Sequence, residues 1–180
     1  MSEYCVSLDP ETGLHCTLYL YTNVQNAREL RKKIMTGELS CCILKAAIIA
    51  DPFQVVVAAN KAAVCSKLGH LTTRSLNTEV LFNLSISKNI SRSLIEFGIG
   101  DSDKDIIVTL IHESNTKEDL VKTLDSTIEG ERVPISRLSE YTNHELVKKT
   151  YKIDNEELGV SSLVNCIVSK MSCKDFASLK

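Results

Sequence analysis

The segment that most restricts the fold runs from Asp51 to Leu68. Asp51 is a good N-cap, and Pro52 suits the first helical position, where its missing N–H would have no partner in any case. The residues that follow, FQVVVAANKAAVCSKL, are apolar nearly all round and stop before Gly69. A helix without a polar face has to be enclosed, so this segment predicts the core helix at the centre of a domain.

The elements around it follow from period and punctuation. His15-Cys16-Thr17-Leu18-Tyr19-Leu20-Tyr21 alternates toward apolar and reads as a strand. Val24, Ala27, Leu30 and Ile34 then recur at helical spacing, with Arg28, Arg31, Lys32 and Lys33 on the other face and Gly37 placed to stop the helix. Residues 43–50 are apolar and read as extended. Residues 78–84 and 90–97 read as two short helices, the second closed by Gly98, and residues 105–111 form the clearest strand.

Thr116 with Asp119, and Thr142 with Glu145, make capping-box patterns ahead of apolar helical runs. Acids at 154, 156 and 157 open a C-terminal helix, expected over residues 155–174, that carries Leu163, Ile167 and Met171. No repeat or long Gly/Pro-rich linker divides residues 1–180. The expectation is α+β: a single compact domain, with helices packed around a small central mixed or antiparallel β-sheet.

Charge and composition narrow the function. A formal net charge of −2 gives no global pull toward nucleic acid or an anionic membrane, so any RNA site has to be a local patch. Trp is absent and aromatics make up 5% of residues, which argues for an aliphatic core and against an aromatic platform for stacking bases. The opening MSEYCVSLDPETG places acids where a signal peptide needs a basic region, and no run reaches about 18 apolar residues. A soluble intracellular chain with no membrane partner is expected. The seven cysteines form no CxxC pair and read mostly as buried apolar side chains in a reducing compartment.

Few residues carry chemistry. Gly98-Ile99-Gly100-Asp101 lacks the third glycine and the Lys-Ser/Thr of a phosphate loop and reads as a helix stop. A zinc site would have to draw on His15, Cys16, Cys65 and His70, with none of the usual spacings. The best enzymatic candidate is a thiol nucleophile, Cys65, with His70 as base; the alternative is a buried cysteine and a helix-end histidine.

Two further features stay open on the residues alone. There is no acid between Pro52 and Thr78 while Lys61, Lys67 and Arg74 are basic, which fits either a positive surface or a core helix with a few solvated lysines. Leu163, Ile167 and Met171 fit either core burial or a protruding stripe for a partner's groove.

DPFQVVVAANKA at 51–62 and TTRSLNTE at 72–79, followed by FNLS at 82–85, NIS at 89–91, FGI at 97–99, VKK at 147–149, Tyr151-Lys152, Met171-Ser172 and Lys174-Asp175, resemble the family of small kinase-binding subunits of the EKC/KEOPS complex. The resemblance spans nearly the whole chain, with departures at the N-terminus, at Cys41-Cys42 and over residues 116–132. It implies a non-catalytic subunit without cofactors, cytoplasmic and nuclear. Such a subunit docks directly on the N-lobe of the PRPK kinase and reaches the other KEOPS subunits through it, in an assembly making threonylcarbamoyladenosine beside the tRNA anticodon.

The family's kinase-facing surface involves the C-terminal helix, so the resemblance implies that Leu163, Ile167 and Met171 are shared between core and kinase interface. Archaeal relatives are associated with gripping the tRNA acceptor end, which implies tRNA contact for Lys61, Lys67, Arg74 and Arg92. Two alternatives stand beside this reading: a purely protein-binding allosteric regulator of a kinase with no RNA contact, and, more remotely, a thiol-dependent enzyme.

Overall fold

A computed structural model describes residues 4–176. Its centre is a five-stranded antiparallel sheet. β1 (Tyr4–Ser7) pairs with β2 (His15–Thr22), β2 with β4 (Ile106–His112), and β4 with β3 (Cys42–Lys45), giving the order β1-β2-β4-β3. β5 (Glu131–Val133) pairs with the far end of β2. The sheet expected as mixed or antiparallel is therefore antiparallel throughout, within a single α+β domain.

Helices cover both faces. The strand period of two sends Cys16, Leu18 and Leu20 of β2 into one cluster and Tyr19 and Tyr21 into another, and it splits Ile107 of β4 from Ile106 and Val108 in the same way. Burial on both sides explains why β4 reads as a nearly unbroken apolar run. The first cluster is roofed by α2 (Pro52–Lys67), α3 (Leu76–Leu84), α6 (His144–Tyr151), α8 (Leu163–Cys173) and Phe97 at the end of α4 (Ile90–Phe97). The second lies under α1 (Ala27–Thr36) and α5 (Lys117–Thr127).

α2 is the core helix that its composition predicts. Asp51 caps it by accepting from the Phe53 N–H at 2.8 Å, and Val55, Ala58, Ala59, Ala62 and Ala63 are all buried. Its one fully buried polar side chain, Gln54, donates to the Tyr151 hydroxyl at 2.7 Å and accepts from the Ala50 N–H at 3.0 Å. That hydroxyl donates in turn to the Leu84 carbonyl at 2.7 Å, so one satisfied relay ties α2, α3 and α6 together.

The differences from expectation lie mostly at the ends of elements. Residues 43–50 stay extended only through Lys45. A 3-10 turn over Ala46–Ile48 follows, held because the Ala46 N–H donates to Asp105 and the Ala47 carbonyl accepts from Asn143. α6 is capped by Asn143, which accepts from the Leu146 N–H at 3.0 Å, because the Thr142 hydroxyl is occupied in donating to the Ile49 carbonyl at 2.7 Å. Thr116 makes no cap bond, its hydroxyl donating instead to the Glu113 carbonyl. α3 starts at Leu76, two residues ahead of expectation, on a capping box between Ser75 and Thr78.

The single C-terminal helix expected over 155–174 is two helices. α7 (Asn155–Val160) ends where Ser161 turns extended, and Ser162 restarts the chain by capping α8, accepting from the Asn165 N–H at 3.2 Å. Gly159 favours the first stop, and a serine N-cap the second start. β1, β5 and a 3-10 stretch over Ile135–Glu140 have no counterpart in the sequence reading. Among the described residues, no helix is long and apolar enough to cross a membrane.

Candidate protein-docking face

α8 packs on α2, and the packing decides which of its residues are available. Ile167 is fully buried and Met171 is buried, both within the core cluster, while Leu163 is half-buried against its edge. Of the two readings of this stripe, core burial is the one that Ile167 and Met171 show. Positions four apart on a helix share a face, and the face carrying 163, 167 and 171 is the one that α2 covers. In the chain alone Ile167 and Met171 hold α8 in place and present no surface.

Two large aromatic side chains do face outward, one on α2 and one just past α8. Phe53 is 49% exposed and Phe176 91% exposed. Together with the half-buried Val57 and the backs of Leu8 and Val56 they line an open cavity of about 590 Å³. Two polar clamps set its walls. Lys61 on α2 pairs with Asp175 at 2.5 Å, and the Asn60 side chain accepts from the Asp9 N–H at 2.7 Å.

Two lysines hold the C-terminal segment down. Lys170 donates to the Lys152 carbonyl at 2.7 Å and pairs with Glu157 at 2.9 Å. Lys174 is buried, donating to the Phe82 carbonyl with its ammonium 3.2 Å from the centre of the Phe82 ring. Burial, with Lys61 close by, pushes its ionisation down to about 8.

The basic residues do not converge as the sequence suggests. The stretch 52–78 lacks acids only along the chain: Asp175 reaches Lys61, and Glu11 reaches Lys67 through its carboxylate at 3.3 Å and its backbone carbonyl. Arg74, in the turn before α3, and Arg92, on α4, are exposed, and no ion pair to either occurs among the described residues. Sequence cannot reveal such neutralisation because each partner carboxylate lies more than fifty residues away.

The chemistry candidates fare no better. Cys65 and His70 are linked only through backbone, the His70 N–H donating to the Cys65 carbonyl at 2.9 Å, while the His70 side chain faces solvent. Burial, and then nearby Glu79, raises the Cys65 thiol, the opposite of what a nucleophile needs. His15 bonds Ser7 and Ser114 and stacks on His112 with ring centres 5.9 Å apart, and Cys16 is buried, its thiol pushed up to about 12. No group of three potential metal ligands exists among the described residues. Gly98 ends α4 and bridges to Leu44; a Cβ there would sit 2.5 Å from the Leu94 carbonyl oxygen, so packing accounts for it.

Sequence reasoning missed Phe53, Phe176 and Lys174. Phe53 opens a helix that is apolar on every side, so no period separates its exposed residue from the buried ones.

Known proteins resemble this chain along most of its length. The profile of the family described as "Kinase binding protein CGI-121" matches residues 21–175. The EKC/KEOPS complex subunit TPRKB of Danio rerio is 38% identical over 162 residues, covering 89% of this chain and 91% of that protein. The EKC/KEOPS complex subunit cgi121 of Schizosaccharomyces pombe is 29% identical over 155 residues, 84% of this chain and 88% of the relative. The EKC/KEOPS complex subunit CGI121 of Kluyveromyces lactis is 31% identical over 130 residues, 71% and 80%.

Proposed function

The chain belongs to the CGI-121 family of kinase-binding proteins, and from that premise we propose that it is a non-catalytic subunit of an EKC/KEOPS complex, attached by direct contact with the PRPK kinase. It reaches the other subunits through the kinase, in cytoplasm and nucleus, and supports threonylcarbamoyladenosine modification of tRNA beside the anticodon without a bond-making residue of its own.

The observation that carries the kinase contact is the aromatic opening between α2 and the C-terminal segment. Two of the four phenylalanines, Phe53 and Phe176, stand exposed around one cavity. Exposed aromatics over an apolar hollow are the usual anchors of protein interfaces. In this reading Leu163 is shared between core and interface, while Ile167 and Met171 act from beneath by fixing α8.

The test compares the affinity of the native chain for PRPK with that of Phe53→Asp and Phe176→Asp, each first shown to melt like the native protein. At least about a tenfold loss is expected for each. Full affinity in folded variants would move the interface elsewhere. No binding by the native chain would end the kinase reading.

The pairing of Lys61 and Lys67 with carboxylates favours a second reading, a protein-only regulator of the kinase with no RNA contact. Under the first reading tRNA contact falls to Arg74 and Arg92, to which no ion pair occurs among the described residues. Charge reversal at both separates the two readings. A flatter salt dependence of tRNA binding supports RNA contact, whereas unchanged binding together with an effect on partner ATPase activity in the absence of tRNA supports the regulator.

A further inference from the structure

At the edge of the sheet formed by β3 the two helical layers do not meet. α1 lies over one face and the α3–α4 pair over the other, and between them is a cavity of about 490 Å³. Ile34 and Met35 form one bank, and Leu81, Leu94 and Ile95 the other. The floor is closed by the buried Cys41, Ile43 and Ile99. Met35 is 77% exposed and Ile95 70% exposed, so both banks end in large apolar side chains facing water.

Charge in the lining of this groove has one sign, with Asp101 and Asp103 just beyond its Gly100 end. The charged side chains lining it are Arg31 and Lys45, and no carboxylate lines it. Arg31 pairs with Asp101 at 2.9 Å, but both are about half exposed, so the pair is weak and Arg31 can change partner. Lys45 donates to the Ile95 carbonyl at 2.8 Å, which holds its ammonium at the lip. Arg28 lies one turn before Arg31, and Arg92 one turn before Ile95.

We propose that this groove docks an acidic segment of a partner protein, with aliphatic side chains set between α1 and α4 and carboxylates on Arg31 and Lys45. The lining contains no aromatic ring, so it suits aliphatic anchors and offers an unstacked nucleobase no platform. Recognition runs through side chains. The β3 edge is already partly used, since the Ile99 N–H donates to the Ile43 carbonyl at 3.2 Å and Gly98 bridges to Leu44. None of the residues around the Phe53–Phe176 cavity takes part, so this surface is independent of the kinase face.

The probe is a random peptide library selected on the full-length chain, with the enriched sequences synthesised and their affinities measured by fluorescence anisotropy. Enrichment of peptides combining aliphatic residues with Asp or Glu is expected. Their binding should fall at least about tenfold in Ile95→Asp and in Arg31→Glu, weaken with salt, and persist in Phe53→Asp. Met35→Asp gives the same reading should Ile95→Asp melt early.

Four outcomes overturn the proposal. Selection could yield no peptide, or peptides that are basic or salt-insensitive. Binding could survive the groove variants. The chain could self-associate in a way that Ile95→Asp abolishes, making a second copy the occupant. Finally, a single-stranded RNA oligonucleotide could compete for the groove.

Discussion

The two faces of the sheet are finished to different degrees. Over Leu18, Leu20, Leu44 and Ile107 four helices and the end of α4 close a continuous core, and the Gln54–Tyr151–Leu84 relay threads through it with its own groups paired, though the buried Thr109 hydroxyl has no hydrogen-bond partner among the described residues. Over Tyr19, Tyr21, Ile43 and Ile106 only α1 and α5 are available, and α5 buries a single side chain, Leu124. Polar links on that face sit at its rim, where the Tyr21 hydroxyl donates to Asp125 at 2.9 Å and the Arg132 guanidinium lies 3.8 Å from the centre of the Tyr19 ring. A well-closed layer fixes where α2 and α8 stand and thus the cavity lined by Phe53 and Phe176. The thinner layer stops short of the β3 edge, and the stop is what opens the second groove.

Successive residues of β4 test that contrast on one strand. Ile106 and Ile107 are both fully buried but point to opposite faces. Ile107→Ala should cost about 4 kcal/mol and Ile106→Ala about 3, because the cost of a cavity depends on how far its surroundings can collapse. Urea denaturation reads both values, and equal costs would break the comparison. Tyr151→Phe comes next, at about 2 kcal/mol. It leaves the Gln54 amide and the Leu84 carbonyl buried without the hydroxyl while keeping the ring beside Phe97, 6.0 Å away centre to centre. A negligible loss would mean that the relay adds no rigidity to the closed face.

The same contrast explains what could be read from the sequence. β2, α1, α2, α4 and β4 were legible because each carries a period or a stop that local chemistry dictates, such as Asp51-Pro52 or Gly37. β1 and β5 were not: four and three residues long, they are strands only because β2 offers them an edge. The break at Ser161-Ser162 was hidden because Leu158, Leu163 and Ile167 stay apolar across it. Of the site residues, Leu163, Ile167 and Met171 were placed on the right helix with burial and exposure left open, since a helical period gives a face and not what covers it. The meeting of Lys61 with Asp175 needed the fold itself.

Lys174 sharpens the comparison from within the closed face, as a buried ammonium held by the Phe82 carbonyl and ring. Burial lowers its ionisation from the ordinary 10.5 to about 8. Between those values the unfolded chain holds a proton that the folded chain lacks, so folding stability rises with pH across that window. Below about 8 both states are protonated and the burial cost is present in full. Lys174→Met should flatten the rise and stabilise the protein at pH 7 by on the order of 1 kcal/mol, once screening by nearby water is allowed for. A melting series from pH 7 to 10 decides it, and an unchanged slope would mean that the ammonium reaches water.

The smallest effect belongs to the groove at the thin face's margin. Met35 and Ile95 are mostly exposed, so removing their apolar surface takes almost nothing from the core. Met35→Ser and Ile95→Ser should each change stability by less than about 0.5 kcal/mol, against several for the β4 isoleucines a few residues away in space. The same urea titration measures all four. If either serine variant lost 2 kcal/mol or more, as a core truncation does, the groove walls would be part of the folded core and the second layer better closed than its exposure indicates. Small losses instead leave two large apolar side chains in water that folding does not require, which keeps both banks of the groove free for contact with another molecule.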